Sequence, residues 1–589
     1  MIKNNDPYKH VRPFVKDNIG RYLFGVLLLI VVDGLQLITP LIIGQFTDNL
    51  NNGTLTSDKI IQYIVYLMVI ATTVAVGRFG WRMTIIATSK RMAYDLRNKV
   101  FRHLEKMSQQ YFHNHTTGDL MAHATNDIST IRMAFGQGTI MIVDSLFMAT
   151  MTIALMSIKI SPKLTLVALI PLPLISIMVF FISKTIRLRF KHVQEAFSNL
   201  TEKAQESFSG IRIIKSFVQE EKELKEFNVV NQENFDKNMS LVTLQGVAFR
   251  LVALVSMFSV IIAIYYGGQM VISGELSIGD LVAFLSYIGM LTWPMMAFGF
   301  VYNLLQRGLV SLNRVNDILN TPADITDDES QIVSEESSDL IPSIAFKNLT
   351  FSYPGTELDI LNNVSFSIKA GQTLGIVGKT GSGKTTIANL MLRLYNVPDD
   401  TVFIGGQDVN TMSIETVRDV IGYVPQDNFL FSKSVKENIG FSEKDAPIEL
   451  IQETAEVASV HSEILGFKDG YKTEIGERGV TMSGGQKQRT SIARALTKQP
   501  GILVLDDSLS AVDTKTEEHI LDHLKTTYKH QTTVIIAHRI ATLKHADHII
   551  VLEDAQISEA GSHDDLVKQQ GLYADLYEKQ LLEEKLSER

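Results

Sequence analysis

The residues Gly378-Lys379-Thr380-Gly381-Ser382-Gly383-Lys384-Thr385 gather glycines, lysines and hydroxyls into one short segment. They read G-x-x-x-x-G-K-T, with the apolar run Thr373-Leu374-Gly375-Ile376-Val377 before them. The helix-forming stretch Thr386-Ile387-Ala388-Asn389-Leu390-Met391-Leu392 follows, so the strand, loop and helix that this pattern requires are all present. Glycines let backbone N–H groups curl around phosphate oxygens, and the start of a helix adds positive dipole. Lys384 is then placed to reach the terminal phosphates of a nucleotide and Thr385 to hold magnesium.

A phosphate loop alone leaves many enzyme classes open, and a second motif narrows them. Met482-Ser483-Gly484-Gly485-Gln486 runs through Lys487-Gln488-Arg489 into the apolar helix Ile492-Ala493-Arg494-Ala495-Leu496, ahead of the strand-like Ile502-Leu503-Val504-Leu505. This order resembles the ATP-binding cassette (ABC) family, and the resemblance spans nearly the whole chain. It implies that Ser483, Gly484, Gly485 and Gln486 grip the γ-phosphate of ATP held by a second cassette. Exposed N–H groups at a helix start suit such an anion.

The family's other landmarks follow in order. Tyr353, in Phe351-Ser352-Tyr353-Pro354-Gly355, matches the aromatic that stacks on adenine, and Gln426, in Val424-Pro425-Gln426-Asp427, the glutamine of the magnesium shell. The resemblance implies ATP and Mg2+ as cofactors, with Thr385, Gln426 and Asp506 as metal ligands. Nucleotide binding falls to Tyr353, Gly378 to Thr386 and the Ser483 to Gln486 segment. Thr473-Glu474-Ile475-Gly476-Glu477-Arg478-Gly479 resembles the loop by which exporters touch their membrane domains. Asp513, in Ser510-Ala511-Val512-Asp513, matches the loop linking the two sites, and His538 matches the histidine that contacts the γ-phosphate.

Asp507 departs from this pattern. The family usually carries Glu after the magnesium-linked Asp506, to orient the attacking water, and Asp507 is one methylene shorter. Withdrawing that carboxylate by roughly 1 Å can cost about 100-fold in rate. With Asp507, Gln426 and His538 as its catalytic set, the chain resembles the slow, degenerate half of a heterodimeric exporter whose partner carries the Glu. Its own Ser483 segment would complete the partner's site.

Such residues need an α/β P-loop cassette, assigned to residues 343–589, after a membrane domain of six transmembrane helices at 1–320 and an acidic linker at 321–342 rich in Asp, Glu and Ser. Six apolar stretches, at roughly 21–45, 61–83, 134–158, 162–184, 247–273 and 278–304, each approach the ~20 residues a bilayer needs. Basic residues before the first (Lys9, Arg12, Lys16), after the second (Lys90, Arg91, Arg97) and after the fourth (Lys184, Arg187, Arg189) mark the cytoplasmic side. The expected protein is thus a multi-pass protein of the cytoplasmic membrane, with cassette and both termini in the cytoplasm and no cleaved leader. The two long interior connections are expected to carry helix pairs about 35 Å tall. Their tips, Thr117 to Asp127 and Glu206 to Phe217, resemble segments that dock on cassettes.

Composition agrees: the 589 residues are 45% apolar and contain no cysteine, so neither a disulfide framework nor a thiolate metal site is possible. A formal charge of -9 speaks against nucleic acid as a partner. Asp33 and Asp144 are ionisable groups at membrane depth, which usually face a cavity or partner rather than lipid. Met295, Met296, Phe298 and Phe300 offer adaptable apolar surface. The leading reading is ATP-driven efflux of hydrophobic or amphiphilic compounds, in contact with membrane lipid, by this chain and a second, non-identical half-transporter. A homodimeric lipid or lipid-linked flippase, or an ATP-gated regulatory subunit without transport, stays open.

Overall fold

The computed structural model describes residues 6–587 apart from 328–339, 444, 477–478 and 480–481. The chain divides into two compact units, Met1–Glu105 with Thr117–Thr321, and Lys106–Thr116 with Pro322–Arg589.

The first unit holds six helices long and apolar enough to cross a membrane: α1 (Ile19–Asn51), α2 (Ser57–Leu104), α3 (Thr117–Ile160), α4 (Pro162–Ser209), α5 (Glu220–Ile272) and α6 (Ile278–Asn320). Each contains one expected span, and the interior connections carry the expected helical extensions. They are the same helices continued: at 1.5 Å per residue the 53 residues of α5 run about 80 Å, against a hydrocarbon core of ~30 Å. Pro171 marks a break in α4, whereas Pro294 lies inside an unbroken α6. Only 6% of the apolar window of α2 is buried within the unit, as expected where the lipid is the solvent.

Small residues and side-chain hydrogen bonds lock α1 to α6. A Cβ on Gly44 would lie 2.7 Å from the carbonyl oxygen of Gly279, so both positions require glycine for this approach. Asp48 accepts from the Gly279 N–H and the Ser277 hydroxyl, each at 2.7 Å, and the Tyr287 hydroxyl donates to the Leu37 carbonyl at 2.7 Å.

The expected first docking tip is displaced. Thr117 to Asp127 belongs to the membrane unit, where buried Asp127 accepts from Ser311 at 2.7 Å and meets His123 at 2.7 Å. The segment Lys106–Thr116, immediately upstream, clusters with the second unit instead. There Ser108 donates to Asp324 at 2.7 Å and Gln110 to the Pro354 carbonyl at 3.3 Å. The start of the expected linker is also not simply solvated. Asp327 accepts from the Ile414 N–H at 2.9 Å and pairs with Arg393 at 3.4 Å.

The second unit is built on two sheets. An antiparallel one holds β1 (Ile344–Ser352), β2 (Asp359–Ile368), β4 (Val402–Ile404) and β5 (Gln407–Asp408) in the order β2-β1-β4-β5. The other runs β10-β9-β3-β8-β7-β6, with β3 Thr373–Gly378, β6 Ile421–Val424, β7 Ile502–Asp506, β8 Thr532–Ile536, β9 His548–Glu553 and β10 Gln556–Gly561. All but β10 are parallel. β7 is buried along its whole length because apolar clusters cover both faces of this sheet, which is why Ile502 to Leu505 is an unbroken apolar run. The loops at the carboxyl ends of β3, β7 and β8 are where ligands of such sheets bind.

Candidate nucleotide-binding site

The phosphate loop leaves β3 at Gly378 and enters helix α7 (Lys384–Met391) through Gly383, whose φ is +97°. A Cβ there would stand 2.8 Å from Leu361 and 2.9 Å from the Ile360 carbonyl, so both the backbone conformation and the space demand glycine. Lys384 is buried, and its ammonium donates to the Gly378 and Lys379 carbonyls at 2.9 Å each. Burial pulls its pKa down, opposed by the charges of Asp506 and Asp507. The buried Ser382 hydroxyl has no partner among the described residues. Lys379 instead reaches Glu553 at 2.9 Å.

β7 delivers Asp506, only 1% exposed, against the loop. Its carboxylate accepts from the Thr385 hydroxyl at 3.2 Å and from Tyr423 at 3.4 Å. Burial raises its pKa more than these two hydrogen bonds lower it. The same buried carboxylate and its surroundings push the Tyr423 phenol upward, burial being the larger cause. Thr385, Asp506 and the Gln426 amide supply the hard oxygen donors that magnesium takes, so the donor set fits that ion.

Asp507 sits at φ +47°, in the left-handed region that aspartate tolerates better than most side chains. Its N–H donates to the Ile536 carbonyl at 2.9 Å, and Gln426 Nε2 lies 3.5 Å from its carboxylate. A cavity of 260 Å³ gathers Tyr353, Thr380, Gly381, Gly383 and Lys384 with Thr385, Thr386, Gln426, Asp506, Asp507 and His538. Tyr353 hydrogen-bonds Thr386 at 2.9 Å and packs edge-on against Tyr395.

Ser483, Gly484, Gly485, Gln486 and Asp513 do not line this cavity. Ser483 caps helix α8 (Gly484–Thr497) in a reciprocal box, accepting from the Gln486 N–H at 3.3 Å while Gln486 accepts from the Ser483 N–H at 2.9 Å. Asp513 caps α9 (Thr514–Thr527), and its hydrogen bonds with Thr516 hold its pKa down. Glu477 and Arg478 of the expected exporter loop lie outside the described residues.

Side chains that sequence reasoning passed over tie the loops together. Gln488 on α8 accepts from the Ala511 N–H at 2.9 Å and donates to Ser510 at 3.2 Å. Arg539 reaches the Ser510 carbonyl and buried Glu517, at 3.3 and 3.4 Å. Only their adjacency to Ser483 and His538 in sequence hinted at them.

The membrane unit has a cavity of its own, of 880 Å³. Asp33 and Asp144 line it with Gln36, Arg78, Trp81 and Trp293, as do Arg82, Arg132 and several methionines. Asp33 is 2% exposed and one carboxylate oxygen has no partner among the described residues. Met295 and Met296 pack into the helix core and Phe298 and Phe300 face outward, so the expected apolar lining is supplied by Met133, Met141, Met148 and Met290 instead.

Residues 22–295 match the ABC transporter transmembrane region family, and residues 361–510 match the ABC transporter family. The chain is 38% identical over 563 residues to YheI of Bacillus subtilis, a probable multidrug resistance ABC transporter ATP-binding/permease protein, covering 95% of each chain. It is 37% identical to the multidrug resistance-like ATP-binding protein MdlA of Escherichia coli, covering 96% of this chain and 95% of that one. A solved bacterial Atm1-family ABC exporter with ATP bound superposes with TM-score 0.79 at 25% identity, over 95% of this chain and 99% of the other. A membrane region of six helices and an ATPase cassette on one polypeptide, each with matched relatives, make this chain a member of the ABC exporter family, homologous to multidrug ABC transporters, whose ATP hydrolysis is coupled to transport.

Proposed function

We propose that the chain is one half of a heterodimeric exporter of hydrophobic or amphiphilic compounds, contributing the slower of two ATP sites. The observation that carries this reading is Asp507: a short carboxylate, on a backbone held at φ +47°, stands where a longer one would reach the water attacking the γ-phosphate. Lys384 and the loop amides bind the phosphates, Thr385, Asp506 and Gln426 hold magnesium, and Tyr353 receives the adenine. Magnesium bound there would supply positive charge against the phosphates, and His538 would contact the γ-phosphate. ATP held here acts as a clamp between cassettes.

Two further observations support a second chain. Ser483, Gly484 and Gly485 stand outside the chain's own nucleotide cavity, leaving their helix N-terminus to another cassette. The tip of the α4–α5 hairpin leaves Phe217 71% and Val218 80% exposed, apolar surface suited to docking. The assembly lies in the cytoplasmic membrane with both cassettes in the cytoplasm. The mixed-charge cavity beside Asp33 and Asp144 receives the transported amphiphile.

The test compares ATP turnover of the purified chain alone and paired with a Glu-bearing half-transporter, in magnesium. Slow turnover alone and fast turnover in the pair are expected. In the pair, Asp507→Asn should change turnover by less than about 3-fold, whereas Glu→Gln in the other chain costs about 100-fold or more. A homodimeric lipid flippase is the second reading, favoured by the placement of the Asp507 carboxylate on the cavity it shares with Lys384 and His538. Fast turnover by the chain alone, abolished by Asp507→Asn, would establish it. Flux that survives loss of Lys384 would point instead to a regulatory subunit.

A further inference from the structure

His538 lines the nucleotide cavity, and the backbone that carries it is held from the far end of the chain. On the last helix, α10 (Leu572–Ser587), the amide of Gln580 is used at both ends. Its Nε2 donates to the His538 carbonyl at 2.7 Å, and its Oε1 accepts from the Ile540 N–H at 2.8 Å. Ile540 opens a four-residue helical turn, so its N–H has no partner within that turn. The two bonds bracket the loop between the end of β8 and the turn, where a carbonyl and an amide two residues apart would otherwise be free to rotate.

The sequence of α10 explains why Gln580 stands there. Tyr573, Leu576, Tyr577 and Gln580 recur at helical spacing on one face. Tyr573 is fully buried, and Leu576 and Tyr577 pack against the apolar cluster on that side of the large sheet. The Tyr573 hydroxyl also meets His563 at 2.7 Å. Gln580 is therefore the polar continuation of an apolar docking stripe, placed where that stripe meets the His538 loop. Arg539 also fastens the same loop to Ser510 and Glu517.

We propose that Gln580 is a positioning residue: docking of the C-terminal helix fixes the His538 backbone and so aims its imidazole at the terminal phosphate of bound ATP. This rests on the reading of His538 as a γ-phosphate contact. It makes the nucleotide site sensitive to whether the last helix is seated, and any ligand or chain that displaces α10 would loosen ATP without touching the cavity.

The test uses the full chain in lipid nanodiscs and measures ATP and ADP affinity in magnesium under non-turnover conditions. Gln580→Leu is expected to weaken ATP binding about 10-fold, the order of two lost hydrogen bonds, and to leave ADP binding within about 2-fold. Gln580→Glu keeps the acceptor for Ile540 and loses the donor to His538, so its ATP affinity falls between the two. In a His538→Ala background Gln580→Leu should have no further effect on ATP binding. Equal loss of ATP and ADP affinity, or the same loss with and without His538, overturns the proposal by showing a merely structural role. If His538→Ala itself leaves the ATP to ADP preference unchanged, the reading of His538 fails; if only Gln580→Leu and Gln580→Glu leave it unchanged, the positioning role fails.

Discussion

Asp506 and Lys384 are buried side by side in chemistry that favours their neutral forms, and this is a cost the protein bears before nucleotide arrives. A carboxyl whose folded pKa is raised contributes stability below its unfolded value and loses it as pH rises through the folded one. For Lys384, with a lowered pKa, the contribution is present above the unfolded value and lost as pH falls through the folded one. An ionised Asp506 therefore disfavours the nucleotide-free fold, a cost that magnesium bound there would relieve. Asp506→Asn should raise the Tm of the nucleotide-free protein by about 2–4 °C, the equivalent of roughly 1 kcal/mol, while weakening magnesium-ATP binding by well over 10-fold. Scanning calorimetry with and without nucleotide measures both; a lower Tm would contradict the burial argument. Magnesium-ATP affinity should also fall as pH is lowered, starting above the ordinary carboxylate range, because protons compete for the same oxygens. These residues were legible in the sequence because a phosphate loop and the strand end beside it are local patterns. Tyr423 was not legible, since a lone tyrosine on β6 announces nothing until that strand lies next to β7.

At the scale of elements, the length and apolar character of the six membrane helices could be read directly, but their joints could not. The α1–α6 contact depends on Gly44 and Gly279, far apart in sequence, and on Asp48 satisfying the N–H and hydroxyl at the start of α6. Asp48→Ala leaves those donors unpaired and should destabilise the membrane unit by about 1–3 kcal/mol, with Asp48→Asn recovering part of it. Thermal unfolding in detergent, followed by fluorescence of the chain's tryptophans, reads the difference. The docking tip shows the limit of composition. Lys106 to Asp127 mixes polar residues with scattered apolar ones such as Met107, Tyr111 and Leu120, so periodicity does not reveal where the chain leaves one unit for the other. Contacts such as Ser108 with Asp324 decide it, and they join positions more than two hundred residues apart.

For the whole molecule, the consequence is that one chain holds two separate chemistries. The cassette presents a nucleotide cavity and, outside it, a capped helix start; the membrane unit presents a charged cavity of 880 Å³. The buried, singly unpartnered Asp33 in that cavity should distinguish ligands by charge. Asp33→Asn in the assembled transporter is expected to reduce efflux of a cationic amphiphile about 10-fold relative to a neutral one of similar size, about 1.4 kcal/mol of preference. Equal effects on both would assign Asp33 to helix packing.

What the sequence determined alone is the chemistry of contiguous residues: the loop that cradles phosphate, the short carboxylate at Asp507, the capping pattern at Ser483 and six stretches long enough for a bilayer. Such patterns are read from spacing because backbone geometry acts over a few residues. What only the tertiary structure decided is which distant groups meet: Tyr423 on Asp506, Asp127 under Ser311 rather than at a docking tip, and Gln580 on the His538 loop. Those contacts follow from sheet order and helix packing, where a partner's identity depends on the whole fold and leaves no local trace.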